Sequence, residues 1–209
     1  MVRHPIFARC YERLSTTLRD HGAGEHRAAL LAGLAGRVVE VGAGNGLNFA
    51  YYPESVEEVV AVEPEPHLRA VAARAAGHAP VRVSVVDGLA EALPAGDHAF
   101  DAGVVSLVLC TVPDQARALA ELRRVIRPGG QLRFYEHIRS GDQRLARVQE
   151  AADFVWPWFA GGCHTSRDTV AAIEHAGFEV HAQDRFRFPA SRVFIPASPH
   201  VLGRAVRPF

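Results

Sequence analysis

The stretch VVEVGAGNGLNF, Val38 to Phe49, decides how the chain is read. A run of β-branched residues argues for a buried strand. Three glycines at alternate positions directly after it argue for a tight turn whose backbone a nucleotide approaches closely. Working outward, short β-rich runs alternate with helical stretches, the pattern of a mostly parallel sheet covered on both faces. Strands are expected at 37–41, 58–63, 82–86, 101–108 and 131–137. Helices are expected near 65–76 and 113–126, the second opening with Pro113 and closing before Pro128-Gly129-Gly130.

Upstream, HPIFARCYERLSTTLRD places Ile6, Phe7, Cys10, Tyr11, Leu14 and Leu18 at helical spacing. Its polar face lacks the dense basic character of interfacial helices, so core packing or a lid over the site is the expectation. A second helix, EHRAALLAGLA, ends at Gly36. Downstream come a polar helix around 142–155, an aromatic corner WPWF, a helix over 167–176, and two strands, FEVHAQDRFRF and PHVLGRAV. A tight antiparallel closing pair completes a doubly wound α/β sheet of seven strands. No linker divides the chain, so 1–209 reads as one domain, with 1–35 as N-terminal helices and lid and 36–209 as the cofactor-binding core.

Hydrophobic residues make up 48% and charged residues 22% of the 209, the balance of an ordinary globular protein. Net charge is zero, with 23 basic and 23 acidic residues, so no global field attracts nucleic acid or an anionic membrane. Every basic residue is arginine, which removes chemistry that needs a lysine amine, such as Schiff-base formation or the P-loop phosphate grip. Cys10, Cys110 and Cys163 form no C-x-x-C pair and read as free thiols in a reducing compartment. No signal peptide and no apolar run long enough to span a bilayer is apparent, so a cytoplasmic protein without integral membrane insertion is expected.

In an open parallel sheet, ligands bind beyond the carboxyl ends of the strands. Gly42 to Gly46, Glu63 and Asp87 fall at such ends. An acid closing the second strand can accept both ribose hydroxyls of an adenosine, and Asp87-Gly88-Leu89 is placed to meet the adenine edge. The spacing Gly42-Ala-Gly44-Asn-Gly46 is not G-x-G-x-x-G, which disfavours a dinucleotide. Glu40, inside the first strand, would repel a pyrophosphate, but it suits the positive end of S-adenosyl-L-methionine or a loop brace.

EVGAGNG, AVEPEPH, Asp87, FDAGVVSLVLCTVPD and LRRVIRPGG together resemble the class I S-adenosylmethionine-dependent methyltransferases over most of the chain. NFAYYP, SLVLCTVPDQ, LRRVIRPGGQLRFYEHIRS, GGCHTSRDT and PHVLGRAV are more narrowly similar to the methyltransferase-like family that includes the mammalian membrane-associated alkyl thiol methyltransferases. Unlike those, this sequence shows no long hydrophobic N-terminal anchor. The resemblance implies that Glu40, Gly42, Gly44, Asn45 and Gly46 cradle the methionine part of the cofactor and that Glu63 holds the ribose. It further implies that Pro64 and His67 flank the adenosine, that Asp87, Gly88 and Leu89 meet the adenine, and that Ser106 and Leu107 lie near the sulfonium. Ser106 reads equally well as a helix cap or a satisfied strand-end hydroxyl.

Methyl transfer is an in-line displacement at an activated carbon, so orientation and desolvation carry it and no metal is required. A thiol acceptor must shed its proton, which makes His137, at the end of YEH, the candidate base, against a plain hydrogen-bonded strand end. Glu136 is the weaker neighbour. Cys163-His164 invites a nucleophile or metal reading, but adjacent side chains diverge and no third ligand has suitable spacing, so pocket lining is preferred. Trp156, Trp158 and Phe159 read as pocket wall or core. A trithiolate arsenite site would need three converging cysteines, with Cys10 outside the sheet core. The expected function is methyl transfer to a small molecule: a thiol, amine, ring carbon or lipid headgroup. A cofactor-binding protein without catalysis and a nicotinamide oxidoreductase stand as alternatives, and a nucleic-acid substrate is not expected.

Overall fold

The computed structural model describes Ala8, Arg9, Tyr11, Glu12, Ser15, residues 22–189 and residues 194–209. The described N-terminal residues Ala8 to Ser15 are helical, whereas Ile6, Phe7, Cys10, Leu14 and Leu18 lie outside the described residues. Helix α1 (Gly24–Leu31) leads to β1 (Gly36–Val41), then β2 (Val56–Val62), α2 (Pro66–Ala76), β3 (Arg82–Val86) and β4 (Phe100–Ser106). Helix α3 (Gln115–Val125), β5 (Ile126–His137), α4 (Gln143–Ala152), a single turn α5 (Trp156–Phe159) and α6 (Thr169–His175) follow, before β6 (Glu179–Arg187) and β7 (Pro199–Val206).

The seven strands form one sheet in the order β3-β2-β1-β4-β5-β7-β6. β1 pairs in parallel with both β2 and β4, so strand order reverses at β1 and opens a crevice above its carboxyl end. β7 runs antiparallel between β5 and β6. The expected closing pair is therefore present, but it is not a tight hairpin: β6 ends at Arg187 and β7 begins only at Pro199, with the last strand placed inside the sheet.

Strict alternation along the strands feeds two cores. Val39, Val41, Val105, Leu132 and Phe134 pack with Leu119, Leu122 and Ile173 on the face of α3 and α6. Val38, Val59, Ala61, Ala102, Val104 and Tyr135 pack with Leu30, Leu31 and Ala72 on the face of α1 and α2. Burial on both sides is why these strands read as nearly continuous apolar runs. Caps start the helices: the carboxylates of Glu65, Asp114, Asp142 and Asp168 accept from the first-turn N–H groups of α2, α3, α4 and α6.

Two boundaries differ from the sequence expectation. Pro113 precedes the Asp114 cap and does not open α3. Pro128-Gly129-Gly130 belongs to β5, which begins at Ile126 opposite Phe100 and shifts register before Gln131 meets Ala102. Gly129 takes φ +75° there and donates its N–H to the carbonyl of Arg207, so the punctuation that ends a helix also bends an edge of the strand.

Candidate active site

The glycine turn leaves the end of β1 with the N–H groups of Gly42 and Ala43 both donating to the carbonyl of Val62. Gly44 sits at φ +57°, left-handed backbone where a side chain is disfavoured, and a Cβ there would press within 3.3 Å of the Tyr11 ring. Glu63, buried at the end of β2, grips this turn from the side. One carboxylate oxygen accepts from Gly44 N–H at 2.7 Å and the other from Glu65 N–H at 2.9 Å. Burial holds the Glu63 carboxyl above the usual range, and these two bonds offset only part of that rise.

Glu40 does not face open space. Its carboxylate accepts from Asn48 Nδ2 at 2.9 Å and from the Tyr52 hydroxyl at 2.7 Å, which makes it the brace of the loop following the turn. Complete burial pushes its pKa up to about 7 against the pull of those two donors. Asn48 in turn accepts from Arg27 Nη1 at 2.6 Å, and the same nitrogen reaches Ser106 Oγ at 3.4 Å. Arg27 is buried on α1, and its Nε has no hydrogen-bond partner among the described residues. The charged helix residue that the sequence reading passed over thus lies at the centre of the crevice.

The N-terminal residues cover the turn. Asn45 Nδ2 donates to Ser15 Oγ at 3.0 Å, and His67 Nε2 lies 2.8 Å from the Glu12 carboxylate. Further along, Asp87 pairs with Arg69 at 2.9 Å and keeps most of its side chain in solvent. Pro64 gives its carbonyl to the same Arg69, Leu89 is half-exposed, and Gly88 lies against Val62 and Pro94. Leu107, just past β4, holds φ +61° and donates its N–H to the carbonyl of Tyr135 at 2.7 Å. Left-handed backbone at a leucine is costly and recurs where a site needs a particular backbone direction.

A methyltransferase domain family matches residues 39–134, from within β1 to within β5. The mouse thiol S-methyltransferase TMT1B is 31% identical over 208 residues, covering 97% of this chain and 83% of its own. The human TMT1B is 32% identical over 183 residues, covering 85% of this chain and 74% of its own. The chain belongs to the family of these S-adenosylmethionine-dependent methyltransferases. A solved methyltransferase of Thermotoga maritima, 25% identical, superposes with a TM-score of 0.71 over 97% of this chain and 98% of its own. The protein is accordingly an enzyme with S-adenosyl-L-methionine as cofactor, and among the described residues no helix is long and apolar enough to cross a membrane.

At the other end of the methyltransferase crevice the structure makes a convergence that the sequence reading set aside. His137 Nδ1 lies 3.5 Å from Cys110 Sγ and 3.2 Å from Cys163 Sγ. The third group expected to be missing near Cys163 is thus supplied by β5 and by the loop after β4, while His164 turns toward Asp153. This also alters the base reading, because the Nδ1 edge of His137 is committed to two sulfurs. Both cysteines are free thiols. A hydrogen bond from the Cys110 thiol and the His137 ring together draw the Cys163 thiol down to about 5, and the same hydrogen bond with burial pushes the Cys110 thiol up.

Glu136, fully buried, accepts from the N–H groups of Val108, Leu109 and Cys110, so it shapes the loop that presents Cys110. The segment carrying Cys163 is pinned as firmly. His164 N–H donates to the carbonyl of Cys110 at 2.8 Å, Arg167 Nη1 donates to the carbonyls of Leu109 and Val112, and Asp153 accepts from the backbone and hydroxyls of Thr165 and Ser166. Beside His137, the rings of His26, Tyr135, Phe186 and His200 stack in one cluster next to a cavity of about 170 Å³. Trp158 and Phe159, expected in a pocket wall or core, point into solvent at 86% and 83% exposure. No spacing signal in WPWF separates that outcome from burial, because one helical turn presents every direction.

Proposed function

We propose that this methyltransferase moves the methyl group of S-adenosyl-L-methionine to the sulfur of a small thiol by in-line displacement. The observation that carries the cofactor's placement is the buried polar set at the strand ends: Glu63 against the glycine turn, and Arg27, whose Nε has no partner among the described residues. A buried guanidinium lacking one partner fits a carboxylate, and the cofactor's methionine end supplies one. A carboxylate at the end of β2 fits a ribose diol, since each of its oxygens retains a lone pair after accepting from the backbone.

On this reading Gly42, Gly44, Asn45 and Gly46 pass beneath the methionine part while Glu40 braces the loop from within. Pro64, His67, Asp87, Gly88 and Leu89 line the adenosine, and Ser106 and Leu107 stand near the sulfonium. Tyr11, Glu12 and Ser15 act as a lid, since they lie over Gly44, His67 and Asn45. The acceptor enters from the side of His137, where the aromatic cluster offers apolar walls and the ring is held by Cys110 and Cys163. The thiol class rests on the activity named for the mouse and human relatives. The protein supplies orientation and exclusion of water, effects worth about 7–11 kcal/mol in favourable cases.

Calorimetry with S-adenosylhomocysteine, followed by a methyl-acceptor screen spanning thiols, amines and phenols, tests the proposal. One molecule bound per chain and turnover on thiols is the expected result. Turnover on amines or phenols alone would remove the thiol assignment, and tight binding with no turnover on any acceptor would favour a cofactor-binding protein.

A further inference from the structure

Cys110, His137 and Cys163 come from the loop after β4, the end of β5 and the loop before α6, and no two are sequence neighbours. Their ligand atoms nevertheless lie within 4.8 Å of one another. Two thiols and an imidazole are the donor set of zinc-class ions. For tetrahedral coordination with Zn–S ≈ 2.3 Å and Zn–N ≈ 2.0–2.1 Å, the S···N edge is about 3.5 Å. The observed edges of 3.5 Å and 3.2 Å meet that requirement with little movement. Both cysteines are buried, and their loops are fixed to each other by the bond from His164 N–H to the carbonyl of Cys110. Glu136 and Arg167 hold the Cys110 loop from either side, which is the outer support that metal sites need. Hydrogen bonding among two thiols and a ring would satisfy these groups as well, but it gives no reason for three separate segments to be braced around one point.

The geometry points to a site for one soft divalent ion, zinc foremost, held by Cys110, Cys163 and His137 Nδ1, with its fourth position taking the sulfur of the acceptor thiol. Three protein ligands leave an open position, the arrangement of zinc sites that bind substrate rather than only structure. The acceptor clause rests on the thiol reading above. His137 then serves as a ligand, and the acceptor's proton leaves to water as its sulfur binds the ion. The sulfur's electron pair forms the new S–CH₃ bond, the bond from methyl to sulfonium breaks, and its pair stays with S-adenosylhomocysteine. The neutral thioether product is a poorer ligand than the thiolate and departs.

The test uses the whole protein stripped of metal, with zinc titrated against a chromogenic chelator and cobalt(II) used as the spectroscopic probe. One equivalent of zinc, a cobalt–thiolate charge-transfer band, and at least about a ten- to hundredfold weaker affinity in Cys163→Ser and in His137→Gln are expected. Retained S-adenosylhomocysteine binding in both variants shows that they are folded. Absence of the band in the wild type, or unchanged zinc affinity in both variants, overturns the site. Adding an acceptor thiol without the methyl donor should shift the cobalt spectrum. No shift with a thiol that the enzyme methylates overturns the fourth-position assignment. If no thiol is methylated at all, the acceptor clause falls with the thiol reading, while the zinc titration still decides the metal site.

Discussion

Glu40 and Glu63 are buried carboxylates on adjacent strands, and their surroundings give them different work. Glu63 spends one lone pair of each oxygen on the glycine turn and on Glu65, leaving capacity for a ribose. Replacing it with Ala removes bonds to a charged acceptor worth about 1.5–3 kcal/mol each, so S-adenosylhomocysteine binding by calorimetry should weaken by roughly ten- to hundredfold or more. Unchanged affinity would contradict the ribose assignment. Glu40 spends both oxygens on Asn48 and Tyr52 and sits with a pKa near 7. A carboxyl whose folded pKa lies above its unfolded value of 4.5 binds more protons when folded. Its stabilising contribution is full below pH 4.5 and declines as pH rises toward 7, by about 3 kcal/mol at most for such a shift. Denaturant melts of Glu40→Gln should therefore lose that part of the wild-type slope between these pH values; an identical slope in the two proteins would count against the assignment.

Among the elements, the loops beyond the strands carry the site's accuracy. Asp153, just after α4, gathers four donors from Thr165 and Ser166, and through them fixes the loop bearing Cys163. Asp153→Ala leaves two backbone N–H groups there without partners and should cost about 1–3 kcal/mol in urea unfolding. A loss within about 0.5 kcal/mol, the ordinary range for a surface change, would show that the loop is held by other means. α5 offers the opposite case. Trp158 and Phe159 contribute little burial, so changing both to Ser should leave the unfolding midpoint nearly unaltered, and a large drop would mean they are covered in solution. Apolar spacing made the helices readable, while the proline taken to open α3 stands one residue before its Asp114 cap. WPWF was unreadable because apolar content says that a side chain prefers burial, not whether a neighbouring element arrives to bury it.

For the whole molecule, the parallel half joins the antiparallel pair along the β5–β7 ladder, and one pair in it is an especially close approach. Gly203 on β7 faces Phe134 of β5, and a Cβ there would collide with the buried Phe134 ring and come within 2.7 Å of the carbonyl of Ala182. Gly203→Ala should destabilise the entire sheet by about 1–3 kcal/mol in a single cooperative transition followed by circular dichroism. A separate early transition would mean that β6 and β7 melt apart from the rest.

Alternation of strands and helices, the glycine turn and the acid closing β2 were all legible in the chain, because backbone sterics and hydrophobic periodicity act over a few residues. So was the parallel sheet, since burial on both faces forces apolar runs. Tertiary structure alone decided that Arg27 enters the crevice, that Glu40 braces a loop, and that Cys110, His137 and Cys163 meet at one point. The Glu40 brace closes within a dozen residues, but the Arg27 and cysteine–histidine contacts join separate segments of the chain, and no local preference encodes which loops will face each other once the sheet has closed.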